Sequence, residues 1–183
     1  VYGTTDEEIT EGFECDPESP YGEAKLAAEQ EILDSYDGEM GVTALRLGTV
    51  YGWTRGMRFD TVVDKFALLA ATGEPLTVYR GAEDQKRPYL HVQDAVRSML
   101  FAASELGDGE AYNVVGQNGR LQDVVDAIVA HFPDVEVGYT DAENINQLSY
   151  IVSDEKIADR GFETMYTLDQ GVEELADKFR ALI

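Results

Sequence analysis

The stretch Ser19-Pro20-Tyr21-Gly22-Glu23-Ala24-Lys25-Leu26-Ala27-Ala28-Glu29 decides how this 183-residue chain is read. Ser19 offers a hydroxyl to an early amide, and Pro20 takes the first helical position, where a missing N–H leaves no bond unmade. Leu26, Ala27, Gln30 and Leu33 then recur at helical spacing through Tyr36, and Gly38 stops the run. Tyr21 and Lys25 stand four apart, so the helix brings them to one face, one turn apart. An ammonium beside a phenol favours the phenolate, which otherwise forms only near pH ~10, and so makes a tyrosine usable as acid or base near neutrality. The spacing alone is a weak signal, because a surface tyrosine beside a solvated lysine gives the same pattern.

Outward from this helix, strand and helix patterns alternate. Thr43 to Leu47 reads as a buried strand ended by Gly48. Asp60 is expected to cap a helix running through Ala71, followed by a strand from Leu76 to Tyr79. Asp94 is expected to cap a third helix to Glu105, with Gly107 and Gly109 beyond it. A strand from Ala111 to Val115, a helix from Leu121 to Phe132 and a strand from Val135 to Tyr139 follow. Thr167 and Gln170 form a capping box for a last helix through Leu182. This alternation predicts α/β architecture. The chain has no internal repeat and no low-complexity segment.

In this context the Tyr21–Lys25 stretch resembles the active-site helix of extended short-chain dehydrogenases/reductases, specifically the NAD-dependent epimerase/dehydratase family. Val1-Tyr2-Gly3 is similar to the end of the strand preceding that helix. Leu45-Arg46-Leu47-Gly48-Thr49-Val50-Tyr51-Gly52 resembles the family's next strand and loop. Arg87-Pro88-Tyr89-Leu90-His91-Val92-Gln93-Asp94-Ala95 resembles its Arg-Asp-hydrophobic-hydrophobic-His-Val-x-Asp segment. Lys156, Gly161, Phe162 and Leu168 to Leu175 match the usual last helix. The blocks occur in family order along the whole chain.

The resemblance implies roles. Tyr21 is expected to take a sugar hydroxyl proton as hydride leaves for the nicotinamide of NAD, with Lys25 holding the nicotinamide ribose. Gly48 stands where the family places a residue against the nicotinamide end. Thr49 replaces a usual asparagine on the substrate diphosphate, a shorter reach. Arg87 matches the family arginine on that diphosphate, and a guanidinium can grip phosphate oxygens bidentately. Thr61, with Asp60, falls near the nucleotide phosphate contact, where helix capping is an equal reading. Arg55 and Arg58 could meet an anion, with solvated surface as the default. His91 reads as a satisfied core histidine, Asp94 as a helix cap and Tyr150 as packing.

The family's Gly-x-x-Gly-x-x-Gly turn, which sets a helix N-terminus against the pyrophosphate, is absent among the 17 glycines. The family's catalytic Ser or Thr precedes the Val-Tyr-Gly triplet, and Thr4 and Thr5 follow it. The expected fold is therefore the C-terminal remnant of a Rossmann-type parallel sheet in residues 1–58, plus a small α/β substrate-binding domain in 59–183. The chain is expected to recross to the sheet near 88–115. The expected activity is that of a nucleotide-sugar 4-epimerase, with 4,6-dehydration as the neighbouring alternative and an inactive nucleotide-sugar or partner-binding module as a second class. The chain alone is expected to be inactive, to bind NAD weakly, and to form a homo-oligomer through apolar surface left uncovered.

Composition narrows the partners. Asp and Glu number 36 against 14 Lys and Arg, a net charge of −22. Such a surface repels nucleic acid and anionic membranes. The longest apolar run, Phe66 to Ala71, has six residues, where a membrane helix needs about 20. Cys15 is alone, and with only His91 and His131 no zinc spacing exists. Arginine outnumbers lysine nine to five, and acids crowd positions expected to be exposed, such as Asp6, Glu7, Glu8, Glu11 and Glu14. This resembles proteins of salt-accumulating halophiles, where a short Debye length relieves the repulsion. No basic n-region with an apolar stretch opens the chain, and a cytoplasmic location is expected.

Overall fold

A computed structural model describes residues 1–3, 5, 7–141 and 149–182. Thr4 and Asp6, named above, lie outside the described residues. The elements in chain order are β1 (Glu8–Ile9), α1 (Pro20–Asp34), β2 (Thr43–Leu47), β3 (Thr49–Tyr51), α2 (Val62–Ala71), β4 (Leu76–Tyr79), β5 (Lys86–His91) and α3 (Val92–Glu105). They continue with β6 (Glu110–Val114), β7 (Gln117–Arg120), α4 (Leu121–His131), β8 (Val137–Thr140), β9 (Ile151–Val152), α5 (Glu155–Ala158) and α6 (Leu168–Arg180).

The architecture is α/β with mostly parallel strand pairing. β2 pairs parallel with β6 over five residues, from Thr43 opposite Glu110 to Leu47 opposite Val114. β3 pairs parallel with β5, and β7 adds to the other side of β5 antiparallel. The pairs β4–β8 and β1–β9 are also parallel. Parallel neighbours need crossover connections, and helices supply them. Among the described residues β2 pairs only with β6, so its other edge stays open. No described helix is long and apolar enough to cross a membrane.

The core divides into three clusters. The largest joins Val63, Phe66, Val124, Ile128, Val172 and Leu175 of α2, α4 and α6 over Tyr51 and Tyr89 of the β3–β5 face. A second sets Leu90, Tyr112 and Val114 against Ala95 of α3, Ile157 and Phe162. A third is small: Ile9, Val115 and Val152. On α3, Val96, Met99 and Leu100 are exposed apolar side chains one turn apart on the helix.

Most capping chemistry follows the sequence. The Ser19 hydroxyl accepts the Gly22 N–H at 3.1 Å, and Thr167 and Gln170 make the expected reciprocal box. Two expected caps are displaced. The residue before α2 is Thr61, while Asp60 forms an exposed ion pair with Arg58. The residue before α3 is His91, whose Nδ1 accepts the Gln93 N–H, because β5 runs into the helix without a loop. Asp94 is instead fully buried in the first turn. Its carboxylate accepts the Met165 and Tyr166 N–H groups at 3.0 Å and the Arg97 guanidinium at 2.6 Å. It ties the segment before α6 to α3. Glu11 is not a free surface acid either: it is half-buried and accepts the Asn113 N–H at 2.7 Å.

Candidate active site

Tyr21 and Lys25 open α1, and both side chains are exposed, Tyr21 to 72%. The Lys25 ammonium stands over the Tyr21 ring, 5.6 Å from its centroid. This is the one-turn juxtaposition that the spacing predicts. The helix begins there because Ser19 and Pro20 fix its start, and Gly22 keeps it tight: a Cβ at Gly22 would sit 2.8 Å from Pro17 Cβ. Arg58, in the loop before α2, lies within electrostatic reach of Tyr21 and pairs with Asp60 at 2.5 Å. That ion pair is fully in water, and Arg58 holds the Asp60 carboxyl below the usual carboxylate range.

Gly48, Thr49 and Arg87 form a second cluster where β2 passes into β3. A Cβ on Gly48 would come within 3.0 Å of the Pro88 carbonyl oxygen, while the Gly48 N–H bonds Val114 at 2.9 Å. This glycine lets the chain pass from one sheet to the next in contact with β5. Thr49 lies opposite Tyr89, and Arg87 is two residues before Tyr89. Side chains alternate along a strand, so Thr49, Tyr89 and Arg87 belong to one face. Thr49 and Arg87 are half-buried. The Arg87 guanidinium also lies over the Tyr150 ring at 5.8 Å, so Tyr150 touches a site candidate besides packing at the third core cluster.

Thr61 connects to the same region through Asp64, a residue that no local motif marks. Asp64 Oδ1 accepts the Gly52 N–H at 2.9 Å, and its Oδ2 lies 3.5 Å from the Thr61 hydroxyl. Burial pushes the Asp64 carboxyl up to about 6, against the Gly52 hydrogen bond. Gly52 has φ +117°, and a Cβ there would meet His91 Nε2 at 2.7 Å, so only glycine fits. His91 is fully buried, stacks on Tyr166 at 4.1 Å and contacts Glu174 of α6 at 3.1 Å. Burial lowers its pKa, with Glu174 opposing. The ring is thus neutral, accepting at Nδ1 and donating to Glu174 from Nε2. It is a core histidine with its bonds made.

A further group escaped the sequence reading. Arg46 of β2 holds the Glu29 carboxylate of α1 through Nε at 3.0 and 3.1 Å and Nη2 at 2.5 Å. Its Nη1 donates to the Tyr2 hydroxyl at 2.5 Å, and Tyr2 donates to Asn113 Oδ1 at 2.9 Å. Two shallow surface depressions of about 380 and 430 Å³ lie over α4 and α6, and neither is lined by Tyr21, Lys25, Gly48, Thr49, Thr61 or Arg87.

The described residues fit only one end of a dinucleotide. Lys25 offers ammonium donors and Tyr21 an exposed hydroxyl to a ribose and nicotinamide. Nothing in the sequence supplies the glycine turn that a pyrophosphate needs. The α/β order and parallel pairing fit part of a Rossmann-type fold. The model of the NAD dependent epimerase/dehydratase family matches residues 1–115, and the chain belongs to that family. NAD is a cofactor of this family.

Among the curated relatives, the Arabidopsis thaliana trifunctional UDP-glucose 4,6-dehydratase/epimerase/reductase is 26% identical over 97% of this chain and 27% of its own length. A Salmonella typhimurium dTDP-glucose 4,6-dehydratase is 27% identical over 89% of this chain and 43% of its own. The solved UDP-glucose 4-epimerase of Thermotoga maritima with UDP-glucose superposes with TM-score 0.85 at 26% identity, covering 99% of this chain and 60% of that one. MoeE5 in complex with UDP-glucuronic acid and NAD superposes equally, at 29% identity over 100% of this chain and 62% of its own. The chain thus spans between a quarter and about 60% of these proteins.

Proposed function

We propose that this chain carries the proton-transfer and diphosphate-binding half of a nucleotide-sugar 4-epimerase. The observation that supports it most is the exposed Tyr21 with the Lys25 ammonium over its ring on one helix face. NAD, when bound, accepts and returns the hydride. Tyr21 accepts the proton of the sugar hydroxyl being oxidised and later gives it back. Lys25 keeps a positive charge over the phenol and directs its remaining donors at the nicotinamide ribose hydroxyls. Gly48 lets that end of the cofactor approach the β2–β3 corner without a side chain between. Arg87 grips the substrate diphosphate, with Thr49 adding a hydroxyl on the same face and Thr61 a further one at the head of α2. The remaining walls and the pyrophosphate cradle come from polypeptide outside this chain. On this reading residues 1–58 belong to the dinucleotide-binding unit and 59–183 mainly to the substrate-binding one.

A second outcome, 4,6-dehydration, is favoured by one observation: the curated relatives named above carry that activity in their names. Both begin with the same oxidation. The test is turnover of UDP-glucose with NAD by the complete gene product, compared with Tyr21→Phe. The substitution is expected to lower turnover about 10²–10⁴-fold; wild-type turnover in it overturns the reading. NMR of the product sugar separates a C4 epimer from a 6-deoxy-4-keto product. By itself the chain is expected to bind NAD no tighter than high micromolar, which calorimetric titration checks. We further propose a cytoplasmic, salt-adapted homo-oligomer, supported by the charge of −22 and the exposed apolar side chains of α3.

A further inference from the structure

We infer that Arg46 and Glu29 form a positioning clamp that sets where α1 presents Tyr21 and Lys25. This rests on the catalytic reading of Tyr21 above. Of the 15 residues of α1 only Gly22 is buried, and among the described residues no α1 side chain belongs to any of the three core clusters. Apolar packing from within this chain therefore does little to fix the rotation of this helix or its sliding along β2, and polar bonds carry that task. Glu29 follows Lys25 by four residues, about 6 Å along the axis and about 40° around it, so whatever holds Glu29 holds the catalytic face.

Arg46 is suited to that task. It stands on β2, which is locked to β6 by five registered pairs. Its fork meets the carboxylate through Nε and Nη2, which fixes direction as well as distance. The two side chains are only 11% and 10% exposed, so salt and water screen the pair weakly. The remaining donor, Nη1, is committed to the Tyr2 hydroxyl and, at 3.3 Å, to the Glu11 carbonyl, while the Tyr2 ring lies 4.9 Å beneath the guanidinium. Burial raises the Tyr2 pKa above the usual phenol value, keeping the hydroxyl protonated as donor to Asn113. The guanidinium is thus held on every side before it reaches Glu29.

A misplacement of about 1 Å at a reacting group can cost about a hundredfold in rate. In the complete gene product loaded with NAD, Glu29→Gln is therefore expected to lower kcat on UDP-glucose ten- to a hundredfold. KM should stay within twofold, and the pH inflection of kcat/KM should not move, because Tyr21 and Lys25 shift together on one helix. Amides 24–31 should exchange hydrogen at least tenfold faster than in the wild type. Glu29→Asp, which keeps the charge but withdraws it by one methylene, should fall between the two, and it serves alone if Glu29→Gln does not fold. Wild-type kcat and exchange in the folded variants overturn the clamp, as does a kcat loss that only tracks the fraction folded. Tyr21→Phe run beside them separates the two ideas: full turnover there overturns the catalytic reading, whereas an inactive Tyr21→Phe beside a fully active Glu29→Gln overturns only the clamp.

Discussion

The helices α1 and α6 are similar in length and opposite in how they are held. α6 buries Leu168, Gly171, Val172, Leu175, Ala176 and Phe179, begins in a reciprocal capping box, and is reached by His91 through Glu174. α1 buries Gly22 and relies on Ser19 at its start and Arg46 at its middle. The first is fixed by removing apolar surface from water, the second by a few directional polar bonds. On the proposed catalytic reading, the exposure of α1 leaves Tyr21 and Lys25 open to ligands, whereas α6 is anchored by burial within this chain.

Lowering salt should separate the two regions most. As ionic strength drops from about 1 M to about 0.1 M the Debye length grows from about 3 to 10 Å and carboxylate repulsion is felt across the surface. We expect the chain to lose folded structure, with amides of α1, which carries Glu23, Glu31 and Asp34 against Lys25, exchanging before those of α6. Hydrogen exchange at a series of salt concentrations follows this, and equal protection in both helices at every salt would break the contrast. Light scattering in the high-salt sample should give a mass above the monomer.

Next in size is Asp94→Ala, which strips a buried carboxylate from two backbone amides and from Arg97. It should destabilise by about 3–5 kcal/mol, read by urea unfolding in high salt. Leu175→Ala, at a fully buried position in α6, should cost about 2–5 kcal/mol by the same measurement. The matching change on the other helix, Leu26→Ala at a half-buried site, should cost under about 1 kcal/mol. Similar losses at Leu175 and Leu26 would show α1 to be as firmly packed as α6.

A pH-dependent effect concerns Asp64. Its carboxyl titrates near 6 in the folded chain against an ordinary value of 3.8. The native state therefore holds a proton between those values that the unfolded state has released. This contribution to stability is present at pH 4 and is lost as pH rises through about 6, then flat above. Comparing urea unfolding of wild type and Asp64→Asn from pH 4 to 7 should reveal it as a difference that grows toward pH 6.

Much of this was legible in the chain, and what was not has identifiable causes. The starts of α1 and α6 follow from Ser19-Pro20 and Thr167…Gln170, because capping is chemistry within one turn. β5 was hidden by Pro88, a residue that argues against an interior strand. β3 is three residues long, too short for alternation to register. Asp94 reads as a cap, since the amides it binds, at Met165 and Tyr166, lie some seventy residues away. Arg46 and Glu29 are separated by a helix end, a turn and half a strand, so no local pattern pairs them.

What the sequence determined by itself is local: the helix that carries Tyr21 and Lys25, their shared face, the acidic surface and the family. Each depends on neighbours within a turn, on composition or on blocks of residues in a fixed order. The tertiary structure alone decided that among the described residues one edge of β2 stays unpaired, that Thr49 and Arg87 share a face, and that a guanidinium from β2 holds the Glu29 carboxylate of α1. Those are meetings between distant segments, and burial and strand register, which no short window of sequence records, bring them together.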